Sequence, residues 1–443
     1  MPRSRPPSPP TAPPAPGGDL GLGAFLAWLG AGEVPPSVDR WAGEWLRTVG
    51  LLRDPRAEPI LRFVDEAVAW GTLAAFAPFR GRGKSTEAAL LKFAAAVHRP
   101  RELLQLWRKA DADFATRVRA LASGADPMGD IAALDALARG GDDLQLATLA
   151  ALVRHGVPPW HAPALLRRRE QSGEDWLWRW LGRQPTRPPL WLRVAVPRHT
   201  AAVRDLLGLD GLRVNAQDGA ALAVEGSTPV FRSRAWKEGK VEIQDLASQR
   251  VGEGVPLGAG RFVWDACAGT GGKTLQLWSR LDGRGAIHAS DVSPARLAEL
   301  RKRLQRVDGR NVRVWAWDGR GAPTLPAEVS GRGGFDTVLV DAPCSGSGTW
   351  RRRPDARLRS VPSSLPRWAS QQGELLAAAA EAVRPGGALV YATCSVFVEE
   401  NEAVVAAFLA RRPAWSLEQD QLHGAPDTDA DSLFAAVLRR EGR

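Results

Sequence analysis

Two cysteines, 50 residues apart, each close a strand-like run: Asp341-Ala342-Pro343-Cys344-Ser345-Gly346-Ser347-Gly348 and Tyr391-Ala392-Thr393-Cys394-Ser395. A single cysteine is most often a small buried hydrophobe, and that is the reading for Cys267. Two thiols delivered with a carboxylate, Asp341, to one edge of a sheet point instead to covalent chemistry. Carbon-5 of a pyrimidine is too electron-poor to attack a sulfonium methyl until a thiolate adds to carbon-6 of the ring. Protonation or hydrogen bonding at the ring's N3 assists that addition, and a carboxylic acid at Asp341 could supply it. Cys344, Cys394 and Asp341 are therefore the candidate catalytic residues.

A second constellation lies upstream. Asp265 closes a strand that runs into Cys267-Ala268-Gly269-Thr270-Gly271-Gly272-Lys273-Thr274, a glycine-rich turn opening a helix. Such a turn lets a ligand approach the backbone and meet amides at the helix N-terminus. A Walker loop ending in Gly272-Lys273-Thr274 would need glycine where Cys267 stands, and a dinucleotide fingerprint from Gly269 would need a small residue at Thr274. A nucleoside cofactor without a pyrophosphate fits better. Asp291, 26 residues beyond Asp265 and at the end of the next strand, is placed to accept hydrogen bonds from two ribose hydroxyls. S-adenosylmethionine is such a cofactor. Asp318, with Gly319 after it, serves equally well as a helix cap.

The elements that must hold these residues follow from the hydrophobic pattern. From Phe262 onward strands alternate with helices: FVWDACA, a helix after Gly272, AIHASD, a helix over Pro294–Arg306, VRVWAWD, FDTVLVDAP, a helix near 365–383, ALVYATCS and a helix to Arg411. That alternation predicts an α/β catalytic domain over 255–443 with a mostly parallel, doubly wound, Rossmann-like sheet, its acids at the carboxyl ends of strands. Residues 1–18 hold eight prolines and no acid, which predicts a disordered arm. Apolar residues at three- and four-residue spacing predict an all-helical domain over 19–183. Within it, Gly81-Arg82-Gly83-Lys84-Ser85 fails as a phosphate loop, because the first glycine would fall on Pro78. A boundary is expected at Gln184–Pro189, followed by a small α/β joining region over 188–254 that includes strand-like runs at Leu190–Val196 and Leu222–Val224.

Fifty-nine bases against 49 acids leave a formal charge of +10, the footprint of a protein that meets a polyanion. Only seven of the bases are lysine, so codon bias toward arginine is the competing explanation. Arg351, Arg352, Arg353, Arg357, Arg359 and Arg367, interleaved with Trp350 and Trp368, flank the proposed pocket and are read as RNA contacts. The cluster Arg301, Lys302, Arg303 and Arg306 on a crossover helix is read as a solvated face. Three cysteines without disulfide or zinc spacing favour a reducing cytoplasm and no metal. The apolar run Leu20–Ala31 is too short to span a bilayer and follows a Pro-rich lead, which disfavours a signal peptide or membrane anchor.

At these motifs the sequence resembles the Nop/Sun-type RNA cytosine-5 methyltransferases, bacterial ribosomal-RNA branch, over about residues 188–440. The motifs that carry the resemblance are DACAGTGGKT (265–274), ASDVSPARL (289–297), VDAPCSGSGTWRRRPD (340–355) and YATCS (391–395), with WKEGKVEIQDLAS (236–248) as an entry segment. The resemblance implies a class I methyltransferase fold using S-adenosylmethionine on a cytosine in RNA. It implies Cys394 as nucleophile, Cys344 assisting release of the adduct, and Asp341 contacting the base. Asp265, Ala268, Gly269, Gly271, Gly272, Lys273, Asp291, Asp318 and Asp341 would form the cofactor site. The family usually reads Ala-Pro where this chain has Gly269-Thr270. Its ribosomal-RNA members often carry a helical RNA-binding domain of the antitermination-factor type, which turns the substrate expectation toward ribosomal RNA. A monomer acting on RNA is expected. Transfer RNA as substrate, methylation of another acceptor such as a base amine, and an inactive RNA-binding assembly factor stand as alternatives.

Overall fold

The computed structural model describes Val157 and residues 161–442, except 185, 227–228, 259–260, 354–355, 358–359 and 361–363. The expected Pro-rich arm, most of the expected helical domain, the Gly81–Ser85 run and Arg359 lie outside the described residues.

Seven strands form the main sheet: β5 (Arg261–Asp265), β6 (Gly285–Asp291), β7 (Val312–Ala316), β8 (Phe335–Asp341), β9 (Val383–Thr393), β10 (Trp415–Gly424) and β11 (Ser432–Arg440). Their order is β10-β11-β9-β8-β5-β6-β7. The five strands from β9 to β7 are parallel, while β11 and β10 are antiparallel additions at one edge. This is a Rossmann-like, doubly wound sheet with an antiparallel edge. Alternation along each strand divides its two cores, because successive side chains point to opposite faces. Val263, Leu339 and Val390 pack on one face with Leu246, Val251 and Leu277. Trp264, Val338, Val340, Leu389 and Tyr391 pack on the other with Leu376, Val404 and Phe408. Burial on both faces explains why these strands read as continuous apolar runs.

Among the described residues the longer helices are α1 (Ala162–Ser172), α2 (Glu174–Arg183), α3 (Thr200–Leu209), α4 (Leu246–Gly254), α5 (Gly272–Leu281), α6 (Pro294–Val307), α7 (Leu365–Ala380) and α8 (Glu402–Ala410). Local chemistry sets their starts. Asp245 accepts Ala247 N ahead of α4, and Ser293 accepts Arg296 N ahead of α6, where Pro294 supplies the fixed φ of a first helical residue.

The joining region is an antiparallel sheet in the order β2-β3-β1-β4, with β1 Leu190–Val194, β2 Leu212–Asp218, β3 Ala221–Gly226 and β4 Val241–Ile243. Leu192, Val203, Leu207, Leu222 and Val241 form its own core. Glu242, 1% exposed, accepts Arg303 Nη2 at 2.8 Å and also Arg306. The Arg306 guanidinium lies 3.7 Å from the Trp236 ring centroid. Arg303 and Arg306 are therefore tied to the joining region rather than solvated, which corrects half of the expected exposed cluster. A carboxylate with almost no access to water requires such partners.

The sequence pattern places helices α1 and α2 in the N-terminal helical domain, yet they belong to the same compact unit as the main sheet. Arg168, 1% exposed, makes a paired contact with the Glu402 carboxylate at 2.7 Å and donates to Val396 O at 2.6 Å. Trp180 packs on Trp350 and donates to Ser432 Oγ. These helices buttress the two loops that carry Cys344 and Cys394.

Candidate active site

Parallel register brings the named residues to one edge. Asp341 ends β8 opposite Ala392 of β9, so Cys394 lies two residues past that pair and Cys344 three residues past Asp341. The two Sγ atoms are 3.3 Å apart. Asp265 ends β5, level with Leu339 of β8, and Asp291 ends β6. A cavity of about 730 Å³ runs along these ends, lined by Asp265, Lys273, Asp291, Asp318, Asp341 and Cys394. Its size suits a nucleoside-sized ligand with room for a second group. Cys344 does not line it, so Cys394 faces the cavity with Cys344 behind.

The hydrogen-bonding contact with Cys394 pushes the Cys344 thiol well above its usual range, together with burial and the nearby carboxylate of Glu400. Either sulfur can donate in the contact between them. The Cys267 thiol is also raised, by burial and by Asp265, Asp341 and Asp291, which makes it inert.

The expectation for Asp341 is an acid. Lys273 Nζ donates to its Oδ2 at 2.8 Å, so the proton available at this point sits on Lys273. Burial opposes the charge on Lys273, but the charge and hydrogen bond of Asp341, with Asp265 and Cys394 nearby, together outweigh it and raise its pKa. The ammonium and carboxylate together offer a donor and an acceptor to a ring in the cavity.

The glycine-rich turn is built for backbone approach. Asp291 Oδ2 accepts Gly269 N at 2.9 Å and Asp291 Oδ1 accepts Ser293 N at 2.8 Å, which ties the turn to β6. A side chain added at Gly269 or Gly272 would meet nothing within 4 Å. Gly271 does not line the cavity. Its φ of +93° and a would-be Cβ only 2.2 Å from Leu300 Cδ1 explain the glycine as a turn and packing requirement instead. Asp265 is fully buried, receives Thr274 Oγ1 at 2.6 Å through Oδ2, and has no partner at Oδ1. Burial raises its carboxyl to about 7. Asp318 is exposed and caps no helix; its Oδ1 accepts Arg320 N at 2.9 Å.

The basic run after Gly348 is corrected for three of its members. Arg351, 5% exposed, donates to Thr186 O, Ala430 O and Asp429. Arg352 bonds Asp431, Asp245 and Pro189 O. Arg357, 1% exposed, donates to Trp350 O. Their guanidinium groups tie the protein together, since buried cations demand internal acceptors. Arg353 is exposed.

Sequence reasoning missed Glu400. It is fully buried and accepts from Ser345 N, from the Ser345 and Ser395 hydroxyls, and from Gln372 Nε2. The signal was present in the serine that follows each cysteine, a polar residue that burial would force to find a shared acceptor.

Among the described residues, no cluster of three or more His, Cys, Asp or Glu could hold a metal, and no helix is long and apolar enough to cross a membrane.

Sheet order, glycine-rich turn and acids at the strand ends define a Rossmann-like methyltransferase. Residues 257–435 match the family described as 16S rRNA methyltransferase RsmB/F. Ribosomal RNA small subunit methyltransferase B of Klebsiella pneumoniae is 34% identical over 310 residues, 67% of this chain and 70% of that protein. The chain belongs to this RsmB/F family. Two solved structures share the fold: the crystal structure of PH0851, at 23% identity and TM-score 0.66 over 95% of this chain and 98% of that one; and NSun6 from Pyrococcus horikoshii with SFG, at 18% identity and TM-score 0.53 over 63% and 98%.

Proposed function

We propose that the chain transfers a methyl group to carbon-5 of a cytosine in ribosomal RNA of the small subunit, through a covalent adduct on Cys394. The observation that carries this reading is the thiol pair at 3.3 Å, with one sulfur on the cavity beside the Lys273–Asp341 pair. Family membership supports RNA as the substrate class.

S-adenosylmethionine fits the cleft, and when bound it supplies an electrophilic methyl. The unpartnered Oδ1 of Asp265, the open backbone at Gly269 and Gly272, and the carboxylates of Asp291 and Asp318 are the groups that would hold it. The target cytosine must be single-stranded or flipped out, because no thiolate reaches carbon-6 inside a stacked helix. Lys273 holds a proton against the ring while Asp341 accepts from its amino edge, and Cys394 Sγ adds to carbon-6. A base takes the proton from carbon-5, the carbon-5–carbon-6 double bond re-forms and Cys394 leaves as the thiolate, with Cys344, 3.3 Å away, placed to assist that release.

The test is transfer of labelled methyl from S-adenosylmethionine to unmodified ribosomal and transfer RNA pools, with the product nucleoside identified by mass spectrometry. 5-Methylcytidine in ribosomal RNA is the expected product. Labelling of a base amine, or of transfer RNA alone, would overturn the reading.

A further inference from the structure

Each candidate cysteine is followed by serine, and both serines turn away from the cavity toward one carboxylate. Ser345 Oγ and Ser395 Oγ each donate to Glu400 Oε2 at 2.5 Å. Ser345 N donates to Oε1 at 2.8 Å and Gln372 Nε2 to the same oxygen at 3.1 Å. Gln372 also donates to Pro343 O, the residue before Cys344, at 3.0 Å. The ring closes through Ser347, whose Oγ lies 3.0 Å from Ser395 Oγ and accepts Val396 N at 2.9 Å. On the other side Tyr391 donates to Glu400 O at 2.5 Å. Four donors on one side chain with no exposure is a full complement for a buried carboxylate. Yet Glu400 does not line the cavity, and its carboxylate spends these bonds on the serines and Gln372 rather than on either sulfur.

We infer that Glu400 is a positioning residue of this site, a buried carboxylate that clamps the Cys344 and Cys394 loops to each other through Ser345 and Ser395 and so fixes the spacing of the two thiols. This rests on the roles assigned to the cysteines above. The loops leave β8 and β9 separately, and outside those strands the clamp crosses from one to the other at a fixed carboxylate. A negative charge at this point also opposes ionisation of Cys344. In this the clamp adds to the contact with Cys394 and to burial, which raise the same thiol.

Glu400→Gln keeps the shape but leaves one acceptor oxygen facing donors that previously shared two. The variant should lose about 10- to 100-fold in kcat, with KM for S-adenosylmethionine and RNA within about threefold of wild type, as expected when geometry at the reacting atoms is lost and binding is not. A readout independent of turnover is alkylation by iodoacetamide, followed for each cysteine by peptide mass spectrometry across pH. Removing the charge should move the Cys344 alkylation profile to lower pH, and a profile displaced by one pH unit means roughly tenfold faster labelling at neutral pH. Ser345→Ala is the milder companion, and it decides the matter if the Gln variant does not fold: it removes one strap but keeps the charge, so it should lower kcat about fivefold and leave the Cys344 alkylation profile no lower in pH than in wild type. Wild-type kcat with an unmoved alkylation profile in a folded Glu400→Gln protein, or wild-type kcat in a folded Ser345→Ala protein, would overturn the clamp. If wild-type protein makes no 5-methylcytidine, the functional reading fails instead, and the alkylation profiles still report on Glu400.

Discussion

Cys344 Sγ and Cys394 Sγ stand 3.3 Å apart at the ends of β8 and β9, and only Cys394 lines the cavity. That asymmetry assigns different consequences to two otherwise similar substitutions. Cys394→Ala removes the proposed nucleophile and should reduce methyl transfer by more than about 10³-fold, since an unactivated pyrimidine carbon has no other route. Cys344→Ala leaves the attacking sulfur in place and should accumulate a protein–RNA adduct that survives denaturing electrophoresis. Gel-shift under denaturing conditions with both variants checks this. Full activity in the Cys394 variant would sink the covalent mechanism.

Gly348 explains part of the thiol geometry. Its N–H donates to Cys394 O at 2.9 Å, and a Cβ placed there would stand 1.8 Å from Ser432 O and 3.0 Å from Cys394 O. Both obstacles are backbone atoms, so neither can rotate away. Gly348→Ala should cost about 1–3 kcal/mol in stability by overpacking and should displace Cys394. Urea unfolding and initial transfer rates measure the two effects; a variant matching wild type in both contradicts the close approach of these chains.

The parallel strands and their acids were legible because both faces are buried, which writes apolar runs such as Phe335–Val340 directly into the sequence. β10 was not, because Trp415–Gly424 is largely exposed and polar and becomes a strand only by pairing with β11. The residues expected at the site were legible as motif positions at strand ends, and Asp265, Lys273, Asp291, Asp341 and Cys394 do line one cavity. Arg351, Arg352 and Arg357 misled because a run of arginines looks the same whether its acceptors are phosphates or buried carboxylates. Asp245, Asp429 and Asp431, which receive two of them, are distant in sequence. Glu400 escaped for the same reason: its role depends on two serines 50 residues apart meeting in space.

Neighbouring arginines should now separate experimentally. Arg352 joins Asp245 and Asp431, both largely buried, so Arg352→Met leaves two carboxylates without their cation and should cost about 3–5 kcal/mol in stability. Arg353 is exposed, and Arg353→Ala should leave stability unchanged while lowering RNA affinity and reducing the salt slope of binding by about one. Thermal melts and RNA titrations at several salt concentrations distinguish them. A salt slope altered by the Arg352 substitution in a folded protein, with Arg353 silent, would reverse the assignment.

Asp265 makes stability depend on pH in a direction opposite to that of a salt-bridged carboxylate. Burial raises its carboxyl to about 7, so the folded protein favours the protonated form. Its favourable contribution is complete below the unfolded value of about 3.9 and is lost as pH rises through 7. Asp431, also raised to about 7 by burial, titrates in the same window, but it is common to wild type and variant and cancels in their difference. Asp265→Asn cannot ionise, and its amide oxygen can still accept from Thr274. The variant should therefore gain on wild type from pH 5 to pH 8, by on the order of a few kcal/mol, and the gain should level off above that. Urea midpoints at pH 5, 6.5 and 8 measure it. Parallel pH dependences for the two proteins would mean that Asp265 holds the same charge throughout, and the buried, unpartnered Oδ1 would then need another source of compensation.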